Sequence, residues 1–179
     1  AEGASEEGRR SKGQRKSGKV EYKEVKVGAV FEAHLKEDGE LEAGEITYTG
    51  TFGDAQECVR QVTAEAKARG SDAAKEIVLL TDGGAWLWNR LPAAFEGKKV
   101  TQILDWCHPS ERLTEISKKV FGEETPQAKE WAKCQRGLLY EGDTRPVIQA
   151  VEQVLSEHPN TSEYVGQSLG YFREHEHRM

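Results

Sequence analysis

No stretch of the chain is apolar for long enough to cross a bilayer, which takes about 20 residues, and no basic-then-apolar leader opens it. Neither a spanning segment nor a secretory signal is therefore expected. Cysteine is scarce: Cys58, Cys107 and Cys134 are an odd number with no CxxC spacing. That excludes a zinc ribbon or a disulfide framework as the organising device and points to a reducing compartment, the cytoplasm. Positive charge is also short overall, since 25 Lys and Arg against 31 Asp and Glu leave a net charge of −6. Such a balance is unhelpful to a nucleic-acid binder, although the distribution matters more than the sum. Charged residues make up 31% and hydrophobic ones 36%, as in a soluble body, and 179 residues give one domain room for a real core.

What the chain does have is a strong pattern between Lys75 and His108. Ile77, Val78, Leu79 and Leu80 form a short apolar run ending at Thr81-Asp82-Gly83-Gly84, as in a strand buried on both faces and followed by a turn. Ala85 to Phe95 reads as a helical connection, bent or ended by Pro92. A second strand, Val100 to Leu104, then delivers Asp105, Trp106, Cys107 and His108. Parallel strands joined by a helix carry both carboxylates to their carboxyl ends, where open α/β sheets keep their sites. The plainer alternative is that Asp82 only makes an Asx-turn, for which Asp-Gly-Gly suffices. Asp105-x-x-His108, arriving at the same end, favours a site. Trp86, Trp88 and Trp106 crowd it, as core residues rather than ligand contacts.

The opening, residues 1–19, is Gly/Ser-rich and basic, with Arg9, Arg10, Lys12, Arg15, Lys16 and Lys19 and almost no apolar side chains. It reads either as a flexible phosphate-contacting, DNA-binding arm or as a solvated linker. From Val20 to Leu35 the alternation places Val25, Val27 and Ala29 on one side and Lys26 and Gly28 on the other, a strand. Asp38-Gly39 signals a hairpin, and Ile46 to Phe52 a returning strand. Asp54 caps a helix over Ala55 to Ala68, stopped by Gly70. One strand more, before Ala1, would complete an RNase H-like core over residues 20–108. Residues 109–179 read as all helical. Helices are expected after Pro109 and Thr125-Pro126, over Thr144 to Glu157, and after a capping box of Asn160 and Glu163. His175 and His177 are spaced wrongly for one helical face and read as solvated.

T-D-G-G-A-W-L-W-N (81–89) followed by Q-I-L-D-W-C-H-P-S-E (102–111) resembles the catalytic domain of bacterial insertion-sequence transposases of the ISKra group. Further blocks lie at Tyr22 to Glu32, Ala128 to Ala132, Leu138 to Gly142 and Leu169 to Met179. Those are DDE enzymes with an RNase H-like fold, a mixed sheet with flanking helices. The resemblance implies DNA as partner, both transposon ends and target, and a homo-oligomer when the enzyme is full length. It also implies Mg²⁺ (or Mn²⁺) as cofactor, with two ions about 4 Å apart serving strand cleavage and transfer. It makes Asp82 the second metal-binding acid and Asp105-x-x-His108 a counterpart of the C/D-x-x-H signature of Mutator-like transposases. Asp105 would orient His108, and His108 would contact the scissile phosphate or orient a nucleophile. Glu2-Gly3 stands where the family has an Asp-Gly, which makes Glu2 a candidate first acid. Its extra methylene sits poorly with Mg²⁺ geometry. The third acid, a Glu, is expected beyond Met179, so the chain reads as part of a transposase that does not cleave DNA alone. Two other classes compete: a non-catalytic DNA- or protein-binding remnant, and a phosphatase-like hydrolase with Asp82 as nucleophile. The latter lacks a second Asp two residues from Asp82.

Overall fold

The computed structural model describes residues 22–179, an α/β chain. Its strands are β1 (Lys26–Val30), β2 (Ala33–Leu35), β3 (Leu41–Ala43), β4 (Thr47–Thr51), β5 (Glu76–Thr81) and β6 (Lys99–Leu104). The helices are α1 (Ala55–Ala68), α2 (Ala85–Ala94), α3 (Cys107–Phe121), α4 (Pro126–Tyr140), α5 (Thr144–Glu157) and α6 (Ser162–His175).

Among the described residues the strands pair as three separate two-stranded ribbons rather than one mixed sheet: β1 with β4 and β2 with β3, both antiparallel, and β5 with β6, parallel. The single strand expected over 20–35 is broken at Phe31-Glu32 into β1 and β2. The Asp-Gly hairpin joins β2 to β3: Gly39 has φ 86°, and Asp38 Oδ1 accepts from the Glu40 amide at 3.0 Å. Local signals are obeyed around α1. Asp54 Oδ1 accepts from the Glu57 amide at 2.9 Å, and Gly70 at φ 86° follows the helix end.

The faces of the ribbons differ from the expectation. Along β1 and β4 the covered positions are Lys26, Gly28, Val30, Thr47, Thr49 and Thr51, while Val27 and Tyr48 stay exposed. Gly28 explains the choice. A Cβ there would lie 2.4 Å from Val62 Cγ2, so its hydrogen-only surface lets α1 lie flat on the ribbon. The β5–β6 ribbon is likewise covered on one face only. Leu79 and Leu104 are buried, but Val78, Leu80 and Ile103 are exposed on the other, so β5 is not buried on both faces. The covered faces share a cluster of Ala66, Leu79, Leu91 and Phe95, joined by Val30, Val62 and Val100, which ties both ribbons to α1 and α2. Pro92 occupies the last turn of α2, which ends two residues later. Leu80→Thr should shift stability by no more than about 0.5 kcal/mol, the usual size of a surface change. Chemical denaturation would check this, and a loss several times larger would mean that the open face is covered in solution.

From Cys107 onward every element is a helix. Thr125 Oγ1 caps α4 by accepting from the Ala128 amide at 3.1 Å. The core here is Leu113, Ile116, Leu139, Val147, Val151, Val165 and Phe172. The capping box of Asn160 and Glu163 does not form. Residues Pro159–Thr161 make a 3-10 turn instead, with Thr161 Oγ1 donating to the His158 carbonyl at 2.8 Å.

His175 also departs from expectation: it is 2% exposed. Its ring lies 4.7 Å from that of Tyr171 and 6.2 Å from that of Trp88, and Arg178 Nη1 lies 3.1 Å from its Nδ1. Arg178 in turn stacks on Trp88 and donates to Gln102 Oε1 at 2.9 Å, docking the 3-10 turn that follows α6 on β6. Burial pushes the imidazole pKa down, and Arg178, His177 and Arg112 add to this against the opposing pull of Glu174. A histidine buried neutral binds its proton more readily when unfolded, so stability rises with pH in this window. The contribution is whole above about pH 6.5, the ordinary histidine value, and is lost as pH falls through it toward the depressed folded-state value. Melting temperatures between pH 7.5 and 5 should fall more steeply for the wild type than for His175→Gln. Parallel curves would remove His175 as the cause.

Candidate functional site at the tip of the parallel strands

The β5–α2–β6 unit forms as the sequence pattern requires. Parallel pairing in the register Thr81↔Leu104 brings both strands to the same end together, and the Asp105 amide donates to the Thr81 carbonyl at 2.8 Å. Asp82 and Asp105 therefore leave adjacent strand tips.

Asp82 is exposed, and its Oδ1 accepts from the Gly84 amide at 3.0 Å, an Asx-turn. Gly83 is needed inside that turn. Its φ is 89°, and a Cβ would sit 3.0 Å from Leu104 Cδ1 and 3.3 Å from the Tyr171 hydroxyl. The loop is thus pressed onto both β6 and α6. Asp105 Oδ2 accepts from the Cys107 amide at 3.2 Å and lies 3.0 Å from His108 Nδ1. A carboxylate at that nitrogen favours the tautomer protonated at Nδ1 and leaves Nε2 free to accept a proton or contact a phosphate. Asp105 also places negative charge at the start of α3, where the helix dipole favours it.

Two side chains that the sequence did not single out complete the cluster. The Arg112 guanidinium lies 4.1 Å over the Tyr171 ring. The Tyr171 hydroxyl is buried and has no well-formed hydrogen bond among the described residues. Burial raises the phenol pKa; Arg112 works against that, while the charges of Asp82 and Asp105 both add to it, so the hydroxyl senses both carboxylates. Arg112 stands four residues after His108 on α3, a spacing that puts them on one face and could have flagged it. Tyr171 has no such local signal, because it arrives from α6.

Of the three tryptophans, Trp88 is buried and holds Arg178, as a core residue. Trp106 is 37% exposed and makes an edge contact with Tyr140, ring centres 5.8 Å apart. Glu2 and the basic residues Arg9, Arg10, Lys12, Arg15, Lys16 and Lys19 lie outside the described residues. No group of three or more His, Cys, Asp or Glu side chains suited to a metal occurs among the described residues. The exposed Asp82 and the half-buried Asp105 nevertheless fit Mg²⁺ or Mn²⁺ in kind, being hard oxygen donors. Mg²⁺ commonly takes one or two carboxylates and completes its shell with water and substrate phosphate. No described helix is long and apolar enough to cross a membrane.

Comparison of the chain with protein-family models, with curated proteins and with solved structures finds no match.

Proposed function

We propose that this chain carries part of the catalytic centre of a metal-dependent DNA strand-transferring enzyme, a DDE transposase with an RNase H-like core. The observation that carries this is the delivery of Asp82 and the Asp105–His108 pair to one end of the parallel strands, near Arg112 and the buried Tyr171 hydroxyl. Asp82 and Asp105 would hold the divalent ion. Such an ion, when bound, polarises a phosphoryl oxygen and lowers the pKa of an attacking water or hydroxyl. His108 Nε2, fixed by Asp105, accepts a proton or holds the scissile phosphate, and Arg112 offers a guanidinium to phosphate charge. On this reading the Tyr171 hydroxyl is the group that donates to an oxygen entering the cluster.

A second reading, a non-catalytic DNA- or protein-binding remnant, is favoured by the lack of a third metal-ligating side chain among the described residues. The two readings part in calorimetric titration with Mn²⁺. The catalytic reading expects saturable binding by the 179-residue chain that Asp82→Asn removes. Binding that survives Asp82→Asn unchanged, or none at millimolar Mn²⁺, leaves the remnant. On either reading the chain alone should not nick supercoiled plasmid. Nicking in Mg²⁺ or Mn²⁺ that Asp82→Asn abolishes would show that two described carboxylates are enough.

A further inference from the structure

We infer that the groove between α3 and α4 is a binding path for single-stranded nucleic acid, leading to the strand-tip cluster. This rests on the nucleic-acid reading of that cluster and assigns it a second, separate surface. The groove holds about 480 Å³ and is open to solvent. Its cations are Lys118, Lys129, Lys133 and Arg136, against a single lining carboxylate, Glu124. Lys118 and Lys129 are paired with Glu115 and Glu124 at 2.6 and 2.7 Å. Lys133 and Arg136 make no ion pair with any described residue. In a chain of net charge −6, this is a local reversal of sign.

The arrangement along α4 is regular. Lys129, Lys133, Arg136 and Tyr140 follow one another at steps of four, three and four residues, one stripe on a helix. The stripe is about 16 Å long at 1.5 Å per residue. That spans roughly four or five phosphates at the 3.4 Å per-strand spacing of a stacked backbone. Ala132 is buried and Gly137 has open space above its backbone, so the floor is low enough for a chain to lie in. At the far end of the stripe stand Tyr140, 77% exposed, and Trp106. Exposed aromatic faces beside cations are what unpaired bases stack on, whereas a duplex hides its base faces. Trp106 directly follows Asp105 in the chain, so the path ends beside that strand tip. An acidic peptide would satisfy the cations but leave the aromatic pair without a purpose.

The test is fluorescence anisotropy of a labelled 15-nucleotide oligothymidine with the full chain. The single strand should bind at least about fivefold more tightly than a duplex of the same length. Lys133→Ala with Arg136→Ala should weaken binding about tenfold. It should also reduce the slope of log affinity against log salt by about 1.4, at about 0.7 for each phosphate no longer neutralised. Tyr140→Ala should weaken binding about tenfold with the slope retained, as expected when stacking alone is removed. All three side chains are exposed, and circular dichroism verifies the fold. Affinity and slope unchanged in these variants, or displacement of the oligonucleotide by polyglutamate as readily as by unlabelled oligothymidine, would overturn the groove. Mn²⁺ titration of the same variants reads the carboxylate cluster separately, so failure of the path and failure of the site are distinguishable.

Discussion

Phe172→Ala should destabilise the chain by about 3–5 kcal/mol, the range for emptying a fully buried aromatic site. Phe172 has no exposed surface and lies in the cluster of Leu113, Val147, Val151, Val165 and Leu169. Those partners come from α3, α5 and α6, so none can close the void without moving a helix. At about 2–4 °C per kcal/mol for a chain of this length, the melting temperature should fall by roughly 6–20 °C. The loss should reach the site as well, because Tyr171 precedes Phe172 and is held against Gly83 and Arg112 by the same helix. A fall of only a few degrees would mean that α6 is not packed as described. Scanning calorimetry of the purified variant gives the answer.

How far the sequence disclosed this arrangement depended on the range of the forces involved. The Asp54 cap, the Asp38-Gly39 hairpin and the span of α5 rest on interactions within a few residues, and the β5–α2–β6 unit on short apolar runs joined by one helix, so all could be read from local pattern. Which face of a strand is covered depends on what packs there. β1 turns Lys26 and Gly28 toward α1 because Val62 needs the room, and its apolar Val27 is left outside. β5 carries an unbroken apolar run, yet only alternate residues meet α1 and α2. The histidines near Met179 show the same limit. Spacing argued against a shared helical face, but His175 is buried by Trp88 and Tyr171, one of them from a different helix. Asp105 and His108 were legible as a pair three residues apart. Tyr171, nearly 90 residues from Asp82, could be found only once α6 was seen lying on the Gly83 turn.

Replacing either strand-tip carboxylate should have the largest effect on metal binding. Asp82→Asn keeps the Asx-turn, since an amide oxygen can still accept from the Gly84 amide, and so isolates the charge. Asp105→Asn removes charge and also weakens the hold on His108 Nδ1. Each should lower Mn²⁺ affinity by more than about tenfold, since loss even of an outer partner of a metal ligand costs about 10–100-fold. Only Asp105→Asn should also release the His108 ring and its Nδ1–H resonance in the metal-free chain, because the Asp105 carboxylate lies against that nitrogen. Proton NMR of the imidazole separates the two variants. Equal effects on His108 would mean that the Asp105 carboxylate is not the group holding it.

The most direct test is the position of Mn²⁺ in a soaked crystal, located by anomalous scattering. Density between the carboxylates of Asp82 and Asp105, within reach of a water near Tyr171 and lost in Asp82→Asn, is the predicted result. Manganese bound elsewhere on the chain, with nothing between those two side chains, would contradict the assignment of this cluster to metal-dependent chemistry.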